Sequence, residues 1–175
     1  MKPARITRGG TYYRVCRADW KNPALSAYSK RAGARWNPPG ESGALYLNAS
    51  IAVAAANAKR SVQQEFGGFA TFADLRRDRL PDLQSFTVQN HRFVDAISAT
   101  GLAALGLSVA YPVDCDHRRC QAVARGLYAA GEAGVAALSA VAIGEELAIF
   151  DSHKRLARRK RGGRTRFAQW YPGLV

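Results

Sequence analysis

Several features that would place this 175-residue chain among membrane or secreted proteins are missing from its sequence. No run of about 18 apolar residues occurs, so no membrane-spanning helix is expected. Residues 1–5 lack the apolar stretch of a signal peptide, and we therefore expect a cytoplasmic protein without membrane association. The apolar content of 47% is sufficient for one compact domain with its own core.

Cysteine is scarce, and the three that occur do not form a recognisable metal or disulfide pattern. Cys115, His117 and Cys120 lie close together, but a structural zinc site needs four ligands, usually as two closely spaced pairs. The second pair is missing here. The sequence therefore predicts no metal and favours buried, apolar thiols.

The glycine-rich fingerprints of nucleotide-binding proteins are also absent. Neither GxGxxG nor GxxxxGK[ST] occurs, and Gly162-Gly163 has neither context. The three histidines have no partner spacing that suggests a nucleophile triad. If the protein binds a nucleotide, side chains rather than a glycine loop must hold it.

Acidic residues are few, with 13 against 26 lysines and arginines, which gives a net charge of +13. The segment Lys154–Arg166 holds eight of the basic residues and no acid. Outside it the balance is 18 basic against 13 acidic, or +5. This segment could meet nucleic acid, an acidic partner protein or solvent alone.

Hydrophobic periodicity predicts strands and helices in mixed order. The helix after Asn48 or Ser50 has the clearest helical spacing and should end before Gly67-Gly68, and Thr100 is the expected cap of a short helix. We infer an α+β fold, a single compact domain of mixed β-sheets with flanking helices. The predicted strands are 11–16, 44–47, 83–88, 134–141 and 147–150, and the predicted helices are 50–66, 101–105 and 116–130.

The segment Gly33–Gly40 (GARWNPPG) is the most unusual part of the chain. It presents an arginine and a tryptophan and then turns at a double proline and a glycine. The Arg35 guanidinium suits a diphosphate, and Tyr46 could stack on a ring or bond to a ribose. A purely structural stack of Arg35 on Trp36 explains the same residues, so the residues alone leave both interpretations open.

These motifs resemble the RES domain family over residues 11–151. The resemblance comprises Tyr13-Arg14, the RWNPPG segment, Leu45-Tyr46, a following alanine-rich helix and the late Leu138–Val141 run. It implies an ADP-ribosyltransferase-like fold in a toxin that consumes NAD by hydrolysis, phosphorolysis or ADP-ribosyl transfer. It also implies an Xre-type antitoxin as partner and leaves a homodimer open. Residues 152–175 are expected to be a basic C-terminal segment packed on or flanking the same domain.

The resemblance assigns roles to individual residues. Arg35 would bind the NAD phosphates with help from Arg14, and Tyr46 would pack near the nicotinamide or its ribose. Ser139 would hydrogen bond the substrate, although a buried serine bonded to the backbone is the simpler interpretation. Gln121 is a supporting contact at most.

The glutamate of the family pattern is missing, because Asn57 stands at its position, eleven residues after Tyr46. Asparagine accepts no proton and carries no charge, whereas cleavage of a glycosidic bond favours a carboxylate. Glu65, Glu145 or Glu146 could supply it. Many family members have an asparagine just before the strand at 147–150, where Glu146 stands, which gives the hypothesis that Asn57 and Glu146 have exchanged roles, beside the alternatives Glu65 and Glu145. A domain without catalysis that only binds a nucleotide or partner is the alternative, and nucleic-acid binding through Lys154–Arg166 is a third.

Overall fold

A computed structural model describes residues 2–108, 110–113 and 116–171 of the chain. These residues form six strands and five α-helices, with short 3-10 helices at 72–74, 77–79 and 151–156. The strands are β1 (Arg5–Cys16), β2 (Ala44–Asn48), β3 (Asp82–Ala96), β4 (Gly134–Leu138), β5 (Glu145–Phe150) and β6 (Ala157–Thr165). The helices are α1 (Ala27–Ala32), α2 (Ile51–Phe66), α3 (Ala99–Ala104), α4 (His117–Ala129) and α5 (Phe167–Trp170).

The strands form one mixed sheet in the order β1-β2-β5-β4-β3-β6. Strands β3 and β4 are parallel, and the other neighbours are antiparallel. Strand β1 also pairs with β3 along its whole length, so the order β1-β2-β5-β4-β3 returns to β1. The circuit closes at a single pair, Tyr13 opposite Asn48. The predicted α+β fold in a single domain is confirmed.

The two faces of this sheet are covered by different apolar clusters. Successive strand residues point to opposite faces, so one face gathers side chains from all five strands of the circuit. We call this the core face, and its most buried members include Leu45, Leu47, Phe86, Phe93, Leu147 and Ile149. The opposite face packs against Trp36, α3 and α4 around Val94, Val135, Ala137 and Ala148. A third cluster joins α2 to α5 through Ala54, Val62, Phe167 and Trp170.

The helix caps agree with the sequence prediction in one case and differ in another. Ser50 begins α2, and its Oγ accepts a hydrogen bond from the Val53 N–H at 3.2 Å. The Thr100 cap predicted for α3 is wrong, because the Ser98 Oγ accepts the Gly101 N–H at 3.0 Å instead. Both caps are serines in extended backbone, as helix N-termini prefer.

Several strands differ from the prediction. Strand β1 begins at Arg5 rather than at residue 11, and β5 begins at Glu145 rather than at residue 147. Strand β3 continues well past Val88, since the polar residues up to Arg92 still pair with β1. Strand β4 ends at Leu138 rather than at Val141, because Ser139 starts a turn in which its Oγ accepts the Val141 N–H. The basic segment, for which no strand was predicted, contains β6, paired antiparallel with β3.

Candidate functional site

The candidate site is built on β2, β5 and β4, on the face opposite the core face. Asn48 lies opposite Glu146, and Glu146 lies opposite Ala137. Directly opposed residues of antiparallel strands project to the same side, and so does Tyr46, two residues before Asn48. Ala148 lies opposite Tyr46. Small alanine side chains therefore surround the polar ones, and we call this surface the site face.

The loop before β2 is fixed to the site face through the Tyr46 hydroxyl. That hydroxyl donates to the Asn37 Oδ1 at 2.8 Å and accepts the Trp36 N–H at 2.9 Å. Asn37 is fully buried, and its Nδ2 donates to the carbonyls of Ser29 and Ser42. Burial raises the pKa of Tyr46, so its hydroxyl stays protonated and able to donate. Tyr46 thus positions the RWN segment.

Arg35 and Trp36 have different surroundings although they are adjacent. Trp36 is fully buried and packs against Tyr111, with ring centroids 5.8 Å apart. Arg35 is only partly buried. Its guanidinium lies 5.5 Å from the centre of the Tyr111 ring, and its Nη1 donates to the Pro112 carbonyl at 2.9 Å. Arg35 therefore stacks on Tyr111, rather than on Trp36 as the structural interpretation of the sequence predicted. Among the described residues its other donors have no hydrogen-bond partner, so they remain for a ligand.

The acid of the site comes from β5, and an amide from α2 contacts it. The Asn57 Nδ2 donates to the Asn48 Oδ1 at 2.8 Å and lies 3.4 Å from the Glu146 Oε2. Glu146 is 8% exposed. Burial raises its pKa to about 7, against the opposing effects of Arg35 and the Asn57 hydrogen bond. A carboxyl group with this pKa exchanges a proton readily near neutral pH.

Helix α4 brings a histidine to the same place. The Gln121 Nε2 donates to the Ala34 carbonyl at 2.9 Å, which ties α4 to the loop next to Arg35. His117 lies four residues before Gln121 and so occupies the same side of the helix. The pKa of His117 is lowered by burial first and then by the positive charges of Arg35 and Arg60. Electrostatic interaction therefore couples His117 to both arginines.

Arg60 and His117 are two further basic or protonatable side chains near the site that the sequence prediction did not name. Arg60 follows Asn57 by three residues on α2, so the two side chains share one side of the helix. That spacing was visible in the sequence and could have found Arg60 once Asn57 was placed in the site. No sequence signal places His117 there, because its position depends on how α4 docks on the loop.

Comparison with known proteins identifies the family of the chain. The family model of the RES domain matches residues 11–170. The chain belongs to the RES domain family. No curated protein sequence matches significantly.

A solved structure shares the fold of this RES domain. It is titled as the crystal structure of the M. tuberculosis MbcT–MbcA toxin–antitoxin complex. The matched chain is 23% identical, with a TM-score of 0.73, and the match covers 93% of this chain and 83% of that one. The family match extends to residue 170 and so includes β6 and α5.

The RES domain does not bring Arg14 to the site face. Tyr13 pairs with β2 on the site face, so the neighbouring Arg14 projects to the opposite side. There its Nη1 donates to the carbonyls of Pro23 at 2.7 Å and Leu25 at 3.2 Å, and its guanidinium lies 5.3 Å from the Trp20 ring. The expected partnership of Arg14 with Arg35 is therefore absent from this arrangement.

Of the three glutamates considered as the acid, only Glu146 lies beside Asn57. Glu65 is exposed and eight residues further along α2, about 12 Å at 1.5 Å per residue. Glu145 forms a two-pronged ion pair with Arg8, at 2.6 and 2.8 Å. The structure therefore brings together the pair that the exchange hypothesis named.

Ser139 stands at the end of β4, at the rim of the site face. Its N–H donates to the Gly144 carbonyl at 2.9 Å, which continues the β4–β5 pairing by one residue. It follows Ala137 by two residues and so points to the same side. It is 8% exposed, and its Oγ accepts the Val141 N–H at 3.3 Å. Its hydroxyl proton is available for a substrate.

Within the described residues, no three or more His, Cys, Asp or Glu side chains are arranged to hold a metal ion. Cys16 and Cys120 are buried cysteines, and Cys115 lies outside the described residues. None of the helices in the described ranges has the length and apolar character needed to cross a membrane.

Proposed function

We propose that this RES domain binds NAD and breaks the bond between nicotinamide and ribose. The observation that carries the proposal is the Glu146 carboxyl beside Asn57, with Arg35, Arg60 and His117 close by. The three cationic or protonatable side chains suit a diphosphate, and the buried carboxyl suits a centre that develops positive charge.

The proposed reaction needs one acid–base group, and Glu146 is suited to be that group. The bond between the ribose C1′ and the nicotinamide nitrogen breaks, and its electron pair leaves with nicotinamide. The Glu146 carboxylate stabilises the positive charge at C1′ and accepts the proton of the attacking hydroxyl group. The Asn57 amide donates to the carboxylate and orients it. The Ser139 hydroxyl, at the rim of the same face, bonds to the substrate ribose.

Nicotinamide release from purified protein incubated with NAD tests this proposal. We expect release by the wild type and a loss of about 10²- to 10⁴-fold in Glu146→Gln, the usual contribution of a general acid or base. Glu65→Gln is the matched control, because it removes an exposed acid of α2 far from Asn57. Free ADP-ribose, ADP-ribose 1-phosphate or labelled protein identifies water, phosphate or a side chain as the acceptor.

Two results would contradict the proposal. Equal turnover by Glu146→Gln and wild type would remove Glu146 from the reaction. Saturable NAD binding without any nicotinamide release would favour the domain that only binds its nucleotide.

We also propose a toxin role, opposed by an antitoxin of the Xre type. It is supported by family membership and by the toxin–antitoxin complex named for the solved structure of the same fold. Expression in bacteria should arrest growth with the wild type and spare it with Glu146→Gln at equal protein level. Arrest by both variants would separate the toxicity from NAD cleavage.

A further inference from the structure

The segment after β5 carries a cluster of positive charge that the proposed NAD site does not use. Seven of its eight lysines and arginines are exposed, and Arg164 is partly buried. Arg164 and Arg166 both contact the buried Asp82 carboxylate, so these two serve the fold. The remaining six lie along the edge strand β6 and the 3-10 helix before it, and we call this edge of the sheet the basic face: Lys154, Arg155, Arg158, Arg159, Lys160 and Arg161.

The basic face has no counter-charge of its own. None of its six side chains takes part in an ion pair within the described ranges. Arg159 donates weakly to the Lys21 carbonyl at 3.4 Å, and the Lys160 Nζ donates to the Thr11 hydroxyl at 2.9 Å. Four consecutive residues of a strand span about 10 Å, within roughly one screening length at physiological salt. The charges therefore repel one another and favour a polyanion.

The backbone of β6 is irregular within the basic face. Arg159 pairs with Phe86 and Arg164 with Gln84, so four residues of β6 lie opposite the single residue Ser85 of β3. Residues 160–163 consequently bulge from the ladder. Gly162 has φ +68°, a left-handed value that favours glycine. Lys160 and Arg161 are the two basic residues of this bulge.

The composition of residues 151–171 distinguishes between polyanions. Stable protein interfaces have an apolar centre with aromatic anchors, whereas contacts to a phosphate backbone need only cations. Among the described residues, none of the large exposed apolar side chains lies between 151 and 171. Those side chains are Leu25, Tyr28, Ile51, Phe66, Phe69, Val113, Tyr128 and Ile143. The basic face also offers no exposed tyrosine, phenylalanine or tryptophan for stacking on unpaired bases.

We propose that the basic face binds the phosphate backbone of a nucleic-acid duplex without reading its sequence. The binding is independent of NAD cleavage, because none of the six residues belongs to the site face. The proposal assigns the binding to six of the eight basic residues in Lys154–Arg166. Arg164 and Arg166 are left out because they contact Asp82.

Binding of a fluorescent 20-base-pair DNA duplex of mixed sequence, measured by anisotropy across salt concentrations, tests this inference. Six phosphate contacts give a slope of about −5 in log affinity against log salt. We therefore expect the affinity to fall about 1,000-fold between 50 and 200 mM salt. For Arg158→Gln with Arg161→Gln, we expect weaker binding and a fall of only about 100-fold over the same range.

The matched control changes the same net charge elsewhere. Arg77→Gln with Arg79→Gln removes two exposed arginines far along the chain, and it should keep the wild-type slope. Nicotinamide release should stay at the wild-type rate in both double variants, which also shows that they fold. Equal loss of binding in the control, absence of binding at 50 mM salt, or polyglutamate competing as well as the duplex would overturn the inference.

Discussion

The two faces of the sheet use the same residue type, arginine, in opposite ways. On the side of the core face, Arg14 donates to two backbone carbonyls and stacks on Trp20, and burial lowers its pKa to about 10. Beside the site face, Arg35 bonds to one carbonyl and remains near the Glu146 carboxyl. An arginine held by backbone carbonyls on the far side of the sheet stabilises the fold, whereas one that interacts with the site carboxyl can bind a ligand.

Exchanging the acid of β5 and the amide of α2 should change the rate of nicotinamide release more than any other substitution, and it tests whether the site face is catalytic. Glu146→Asn should lower nicotinamide release by about 10²- to 10⁴-fold, because no carboxylate then remains beside C1′. Adding Asn57→Glu should recover at least tenfold, since it returns a carboxylate within reach of the same position. The measurement is initial rate at saturating NAD for both variants.

The control for this exchange is Asn57→Glu alone. It places two carboxyl groups side by side and should raise the apparent pKa of the pair, which a pH–rate profile detects. A double variant no better than Glu146→Asn would contradict the idea that the two positions are interchangeable.

The raised pKa of Glu146 should also make the free energy of unfolding depend on pH. Its folded pKa of about 7 lies above the unfolded value near 4.5, so folding takes up a proton between these pH values. The contribution of Glu146 to stability therefore falls as pH rises through this window and stays low above it. Relative to wild type, Glu146→Gln should gain up to about 3 kcal/mol in unfolding free energy from pH 4.5 to pH 8. Urea unfolding at both pH values measures the gain, and a difference independent of pH would place the carboxyl in water.

Much of the fold followed from local patterns, whereas the site depended on contacts between distant segments. The α2 helix and its Ser50 cap follow from spacing and cap chemistry, which are local. Strand β6 was hidden because an edge strand rich in arginine lacks the apolar alternation that marks a buried strand. The bond of Gln121 to the Ala34 carbonyl joins segments 87 residues apart, and no local pattern predicts it.

The roles of the two arginines show the same limit. The sequence does not distinguish the orientations of Arg14 and Arg35. The Tyr13–Asn48 pairing shows that Arg14 faces away from the site. The sequence left three glutamates as candidates for the catalytic acid, and Glu146 was the one named in the exchange hypothesis. Strand register, which places Glu146 opposite Asn48, singles out one of them.

Removing the Arg35 guanidinium should impair activity without weakening the fold. Hydrogen bonds to charged groups contribute about 1.5–3 kcal/mol, and 1.4 kcal/mol corresponds to a factor of about ten. For Arg35→Ala we expect kcat/KM for NAD to fall roughly 100-fold, mainly through KM, with little change in urea midpoint. Arg31→Ala, an exposed arginine on the preceding helix, is the control. An unchanged KM would mean that Arg35 contacts no phosphate.

Arg14→Met is the converse change and the smallest of these effects. Methionine keeps much of the buried aliphatic volume, but the Pro23 and Leu25 carbonyls lose their donor. We expect a loss of about 2 kcal/mol in unfolding free energy, typical of buried polar groups left without a partner. The folded fraction should release nicotinamide at the wild-type rate, because the lost contacts lie on the far side of the sheet. A KM increase as large as that of Arg35→Ala, with stability unchanged, would instead return Arg14 to the NAD site and remove the contrast between the two faces.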